Sequence, residues 1–230
     1  MSSSHVELRD LAQRLGGRWA LRGVELDIDS RELVAVVGHN GSGKTTLLRV
    51  ICTALRPTRG DGSVLGHGLR DNPDAVRNVV AMLSHGGGHY ADLTAFENLE
   101  FAERMMGKRV DRVAIRTALE WCGLARVSHM RVRNFSSGMK RRLALATVKL
   151  REVPLLLMDE PFNSLDPDGS RLVDELLIET KARGASAIVV LHDVARSALT
   201  FDRTIELRDG RIVADARPIA AIRPPLTVAR

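Results

Sequence analysis

The octapeptide Gly38-His39-Asn40-Gly41-Ser42-Gly43-Lys44-Thr45 constrains this chain more than any other feature. It fits the pattern G-x-x-x-x-G-K-[ST], with Thr46 continuing it. An apolar run, Glu32 to Gly38, leads into it, and a segment of helical character, Thr45 to Leu55, leads out. A loop in that setting collects phosphate oxygens. Its glycines let backbone amides turn inward, and the helix start adds partial positive charge. Lys44 is placed to reach the outer phosphates of a nucleotide, and Thr45 to offer its hydroxyl to Mg²⁺.

Further strand-like runs follow at Leu155 to Met158 and Ala187 to Leu191. Short aliphatic runs alternating with helical patterns predict an α/β domain with a parallel sheet. The run at 155–158 ends in Asp159 and Glu160. A strand sends successive side chains to opposite faces, so adjacent carboxylates take separate tasks. Asp159 is expected to hold Mg²⁺ with Thr45, and Glu160 to act as general base toward water. Between about 86 and 150 the pattern turns helical, at Phe96 to Met106, Arg112 to Trp121 and Ser137 to Leu150. This reads as a helical insert, with Met105, Met106 and Trp121 in its core and Lys140-Arg141-Arg142 on a solvated face. The first 30 residues, with Val6 to Leu8 and Val24 to Ile28, suit a small antiparallel sheet.

Composition narrows the partners. The longest apolar runs, such as Leu33 to Val37 and Val79 to Leu83, have five residues. A membrane span needs about 20, so none is expected. The two cysteines, Cys52 and Cys122, form no metal-like pair. The charge is +6, but with aromatics at 3% there are few platforms for bases, and no nucleic-acid partner is expected.

Phe135-Ser136-Ser137-Gly138-Met139 opens the last helix of the insert with a second anion-binding turn. Together with the phosphate loop, Asp159-Glu160, Asn163-Ser164-Leu165-Asp166 and His192, in that order, it makes the chain resemble the ATP-binding subunits of ABC transporters over nearly its whole length. The resemblance implies a P-loop NTPase (RecA-like) core with an N-terminal antiparallel β subdomain and an inserted α-helical subdomain. Residues 1–230 would form one ATPase domain, 1–85 and 151–230 supplying the β subdomain and core, 86–150 the helical subdomain. It further implies that residues 38–46 bind ATP with Mg²⁺, and that Ser136, Ser137 and Gly138 contact ATP on a second ATPase subunit. Ser164 and Asp166 would belong to a loop crossing that dimer, and His192 would sense the γ-phosphate. The dimer would drive a separate membrane permease from the cytoplasmic face of the membrane.

The chain departs from the family pattern at three places. The signature has Ser137 and Met139 where glycine and glutamine are usual. Leu15 stands where an aromatic usually stacks on adenine, with Trp19 nearby. His85 replaces a glutamine that touches the Mg²⁺–water site, and is counted with Glu160 and His192 as catalytic. A histidine at that place resembles the haem-exporter ATPases of cytochrome c maturation. The alternatives are a lipid or drug exporter, or a soluble ATPase in metal-cluster assembly. Only 92 positions separate Lys44 from Ser136, too few for the long coiled coil of chromosome-type members.

Overall fold

The computed structural model describes residues 4–84, 88–107, 109–192 and 201–217. Two long strands, β1 (Ser4–Leu15) and β2 (Arg18–Asp29), form an antiparallel hairpin. With β4 (Arg59–Val64) and β5 (His67–Gly68) they make a four-stranded sheet in the order β2-β1-β4-β5. A six-stranded sheet carries β3 (Leu33–Val37), β6 (Val80–Leu83), β7 (Leu155–Asp159), β8 (Ser186–Val190), β9 (Arg203–Arg208) and β10 (Arg211–Ala216). Its order is β10-β9-β3-β8-β7-β6, parallel throughout except for β10.

Every residue of β3, β7 and β8 is buried, as expected for parallel strands covered on both faces. Alternate side chains enter different cores. Leu33, Ala35 and Val37 join Leu156, Met158, Ala187 and Val189 in one cluster, with helices α5 (Ser137–Arg151) and α6 (Pro167–Ala182). Val34, Val36, Leu155, Leu157, Ile188 and Val190 join the other, with α1 (Lys44–Ile51) and the antiparallel sheet. Each fully buried Val or Leu contributes about 1.5–3 kcal/mol, so burial on two sides fixes which residues end each strand.

The helical insert is present. It comprises α3 (Ala95–Met105), α4 (Arg112–Trp121) and α5. Thr94 caps α3 in a reciprocal box with Glu97, Asp111 caps α4, and Ser136 caps α5 by accepting from Met139 N–H. A further helix, α2 (Pro73–Val79), buries Val76 against the sheet.

Some expectations need correction. Met105 is 68% exposed, not core, because α3 turns that face outward. Trp121 does pack against the cluster, and its Nε1 donates to Glu175. Arg141 is not solvated but buried, since it falls on the stripe 141, 144, 145, 148 of α5. Helix α1 stops at Ile51 rather than Leu55, where Cys52 forms the cap and Thr53 takes a left-handed φ of 58°.

Candidate functional site

The loop between β3 and α1 lies at the carboxyl ends of the parallel strands, the usual ligand edge of such sheets. Two glycines there are forced by geometry. A Cβ on Gly38 (φ 147°) would sit 2.1 Å from Leu207 O, and one on Gly43 (φ 109°) 2.5 Å from Ala20 O. Gly43 also caps α1 with no side-chain bond, and the first turn holds no acid. The amides opening α1 thus stand ready for an anion.

Lys44 is buried, and its Nζ donates to Gly38 O (2.7 Å) and His39 O (3.0 Å), folding back over the loop. Burial pushes its ammonium below the ordinary lysine range, while the charges of Glu160 and Asp159 oppose that shift. A cleft of about 430 Å³ adjoins the loop, lined by Leu15, Ala20, Asn40, Gly41, Gly43, Lys44, Thr45, Thr46 and Glu160. Leu15 is therefore at the cleft. Trp19 opens instead onto a separate hollow with Arg22 and Arg59, and the Arg14 guanidinium lies 5.3 Å from its ring centroid.

The end of β7 faces this loop across β8. Thr45 Oγ1 donates to Asp159 Oδ2 at 2.9 Å, joining the two motifs. Asp159 Oδ1 and Ser42 Oγ are buried with no hydrogen-bond partner among the described residues. An orphaned carboxylate oxygen beside a hydroxyl is a hard-oxygen donor set that fits Mg²⁺.

Glu160 follows in a left-handed conformation, φ 50°, which non-glycine residues hold only when their surroundings impose it. Its N–H donates to Val190 O at 3.2 Å. Both carboxylate oxygens are occupied: His192 Nε2 lies 2.6 Å from Oε1, and Asn163 Nδ2 donates to Oε2 at 2.6 Å.

The signature turn forms a separate cluster. A Cβ on Gly138 would meet Ser164 O at 3.4 Å, so this turn adjoins the loop of Ser164 and Asp166. Arg142 Nη2 grips both oxygens of Asp166, at 2.7 and 2.9 Å, holding its carboxyl below the usual carboxylate range. Asp166 in turn caps α6 through Gly169 N–H. None of Ser136, Ser137 and Gly138 lines the cleft beside Lys44. His85 lies outside the described residues.

Sequence reading missed two neighbours of Glu160, namely Asn163 and Arg141. Arg141 spans from α5 to the carbonyls of Asp159, Glu160 and Pro161. Its signal was the helical stripe, which a charged residue interrupts.

A phosphate loop joined through Thr45 to an acidic pair at a neighbouring strand end, on a parallel sheet, marks the class of P-loop nucleoside triphosphatases. The ABC transporter family matches residues 21–163, and this chain belongs to that family as an ATP-hydrolysing subunit. The cytochrome c biogenesis ATP-binding export protein CcmA 2 of Cupriavidus metallidurans is 40% identical over 192 residues, covering 84% of this chain and 91% of that protein. The structure of an ATP-binding subunit of an ABC transporter superposes with a TM-score of 0.85 at 31% identity, over 92% of this chain and 89% of that one. A dimeric ATP-binding cassette in a post-hydrolysis state, bound to ADP and Pi, gives 0.85 at 25% identity, over 94% and 100%.

Proposed function

We propose that two copies of this chain close around two ATP molecules and drive a membrane permease that exports haem for cytochrome c biogenesis. One observation carries the dimeric part. The signature turn sits with Ser164 and Asp166, apart from the cleft of Lys44 and Glu160. An anion-binding helix start set apart from that cleft is explained when it completes the site of another copy. The haem assignment rests on the CcmA relative and on His85.

In this reading the amides of residues 38–46 and Lys44 hold the phosphates, with Ser42 Oγ among the donors. Thr45 and Asp159 hold Mg²⁺, which when bound neutralises charge on the phosphate oxygens. Glu160 accepts a proton from the attacking water, and His192 orients its carboxylate and meets the γ-phosphate. Ser136, Ser137 and Gly138 cover the phosphate from the partner, while Ser164 and Asp166 line the seam. Residues 86–150 work as a movable helical subdomain on the body formed by 1–85 and 151–230. The chain sits peripherally at the cytoplasmic face of the membrane, bound to the permease. No helix among the described residues is long and apolar enough to cross a membrane.

Two measurements test this. Glu160→Gln with ATP and Mg²⁺ is expected to run as a dimer in size-exclusion chromatography and to hydrolyse ATP about 10²–10⁴-fold more slowly. A monomer at saturating ATP counts against the clamp. Deleting the gene is expected to abolish covalently bound haem in c-type cytochromes, restored by the wild type and not by Lys44→Ala. Normal cytochromes in the deletion strain would turn the assignment toward another cargo.

A further inference from the structure

Arg141 is a buried cation that the hydrolytic reading leaves without a task. It is 7% exposed and makes no ion pair among the described residues. Each of its hydrogen bonds goes to a main-chain carbonyl. Nε donates to Pro161 O (3.2 Å), Nη1 to Ser84 O (2.9 Å), and Nη2 to Asp159 O (2.9 Å) and Glu160 O (2.5 Å). These carbonyls end two neighbouring parallel strands: Ser84 follows β6, and residues 159–161 close β7. One guanidinium therefore ties α5 to both strand exits at once.

The position of Arg141 along α5 gives the contact meaning. It lies five residues beyond Ser136, the cap of that helix, or about 7.5 Å along the axis. A helix is stiff over that distance. The guanidinium is a planar fork of donors with fixed mutual angles, so it transmits displacement where a flexible ammonium would swivel. At the far end is Glu160, whose left-handed backbone depends on its surroundings. Its N–H is held by Val190 O, and its carbonyl by Arg141. Burial presses the Arg141 pKa down, and the charges of Asp159 and Glu160 oppose that shift.

We propose that Arg141 is a positioning residue for hydrolysis: it couples the signature end of α5 to the backbone of Asp159 and Glu160, so that engagement of Ser136 by the partner's nucleotide sets the Glu160 carboxylate in the same chain. This rests on Glu160 being the general base. It places the link between the two ATP sites in the core of each subunit, in addition to the loop at the seam.

The experiment compares the full-length wild type with Arg141→Lys, Arg141→Gln, Glu160→Gln and the double variant Arg141→Lys/Glu160→Gln. The readouts are kcat and KM for ATP, the dissociation constant of a fluorescent ATP analogue with Mg²⁺, and circular dichroism. Arg141→Lys is expected to lower kcat about tenfold or more, with KM and the dissociation constant within about threefold. Arg141→Gln keeps a planar donor and should recover part of the loss. Because Arg141 acts through Glu160, the double variant should be no slower than Glu160→Gln alone. The proposal is overturned by a wild-type kcat in Arg141→Lys, by a fall in kcat matched by weaker binding, or by losses that multiply in the double variant. Loss of fold in both Arg141 variants would assign the residue to the scaffold and also overturn it. Wild-type turnover in Glu160→Gln removes the base assignment and this route with it. A slow Glu160→Gln beside a normal Arg141→Lys removes the Arg141 proposal alone.

Discussion

The imidazole of His192 closes on the carboxylate of Glu160, Nε2 to Oε1 at 2.6 Å, while Asn163 holds the other oxygen. The carboxylate is thus oriented from two sides by loops that follow β7 and β8. A proton acceptor fixed in this way loses little freedom when its substrate arrives.

His192→Ala should therefore leave Glu160 present but unaimed. The expected result is a fall in kcat of about 10–10²-fold, with KM changed by less than about threefold. Steady-state ATPase kinetics measure both. An unaltered kcat would separate His192 from the chemistry.

Glycine replacements should rank by what the new Cβ meets. At Gly38 it lands against Leu207 O, whereas at Gly41 (φ 81°) nothing lies within 4 Å. Gly38→Ala pays both backbone strain and a clash with β9, so a loss of about 2–4 kcal/mol is expected, against about 1 kcal/mol for Gly41→Ala. Chemical denaturation gives the order, and equal losses would discount the clash.

Base selectivity should follow Leu15. This residue lines the cleft and is 40% exposed, and its aliphatic side chain offers a base no ring to stack on. Leu15→Tyr is expected to tighten ATP about three- to tenfold and to widen its lead over GTP. Trp19→Ala, on the separate hollow, should leave both affinities unchanged. Competition titrations with the two nucleotides decide it; a strong preference for ATP in the wild type would contradict the prediction.

A pH effect should come from His89. Burial lowers its pKa from 6.5 to about 4, and its Nε2 lies 3.4 Å from Thr147 Oγ1. The unfolded chain takes up this proton first, so stability is complete above about pH 6.5 and falls as pH drops toward 4. His5, also lowered by burial, acts in the same direction. His89→Gln should accordingly lose less stability between pH 7 and 4.5 than the wild type, by on the order of 2 kcal/mol. Parallel denaturation curves for both proteins would refute this.

The phosphate loop and the Asp159–Glu160 pair were legible because each is contiguous and its chemistry is local. The hairpin was legible only in fragments. Its register shifts near Leu8 to Leu11, and Asp10 takes a φ of 47°, which breaks the alternation that marks a strand. Helix α6, behind the acidic pair, and the closing strands β9 and β10 emerge only in the structure. The contacts that aim Glu160 were hidden for another reason. His192 is 32 residues away in the chain, and Arg141 looked like one member of a basic cluster. Only the fold makes them neighbours.

The alternating allegiance of β3, β7 and β8 has a consequence for how such a chain can change. A single-residue insertion or deletion inside any of these strands would exchange its inner and outer teeth, sending each methyl-bearing group into the wrong compartment. The spacing from Leu33 to Gly38, and from Leu155 to Glu160, is thereby kept by counting, like notches on a key. Length variation has to be spent in the connecting loops, and the two motifs stay in step however far the rest of the polypeptide drifts.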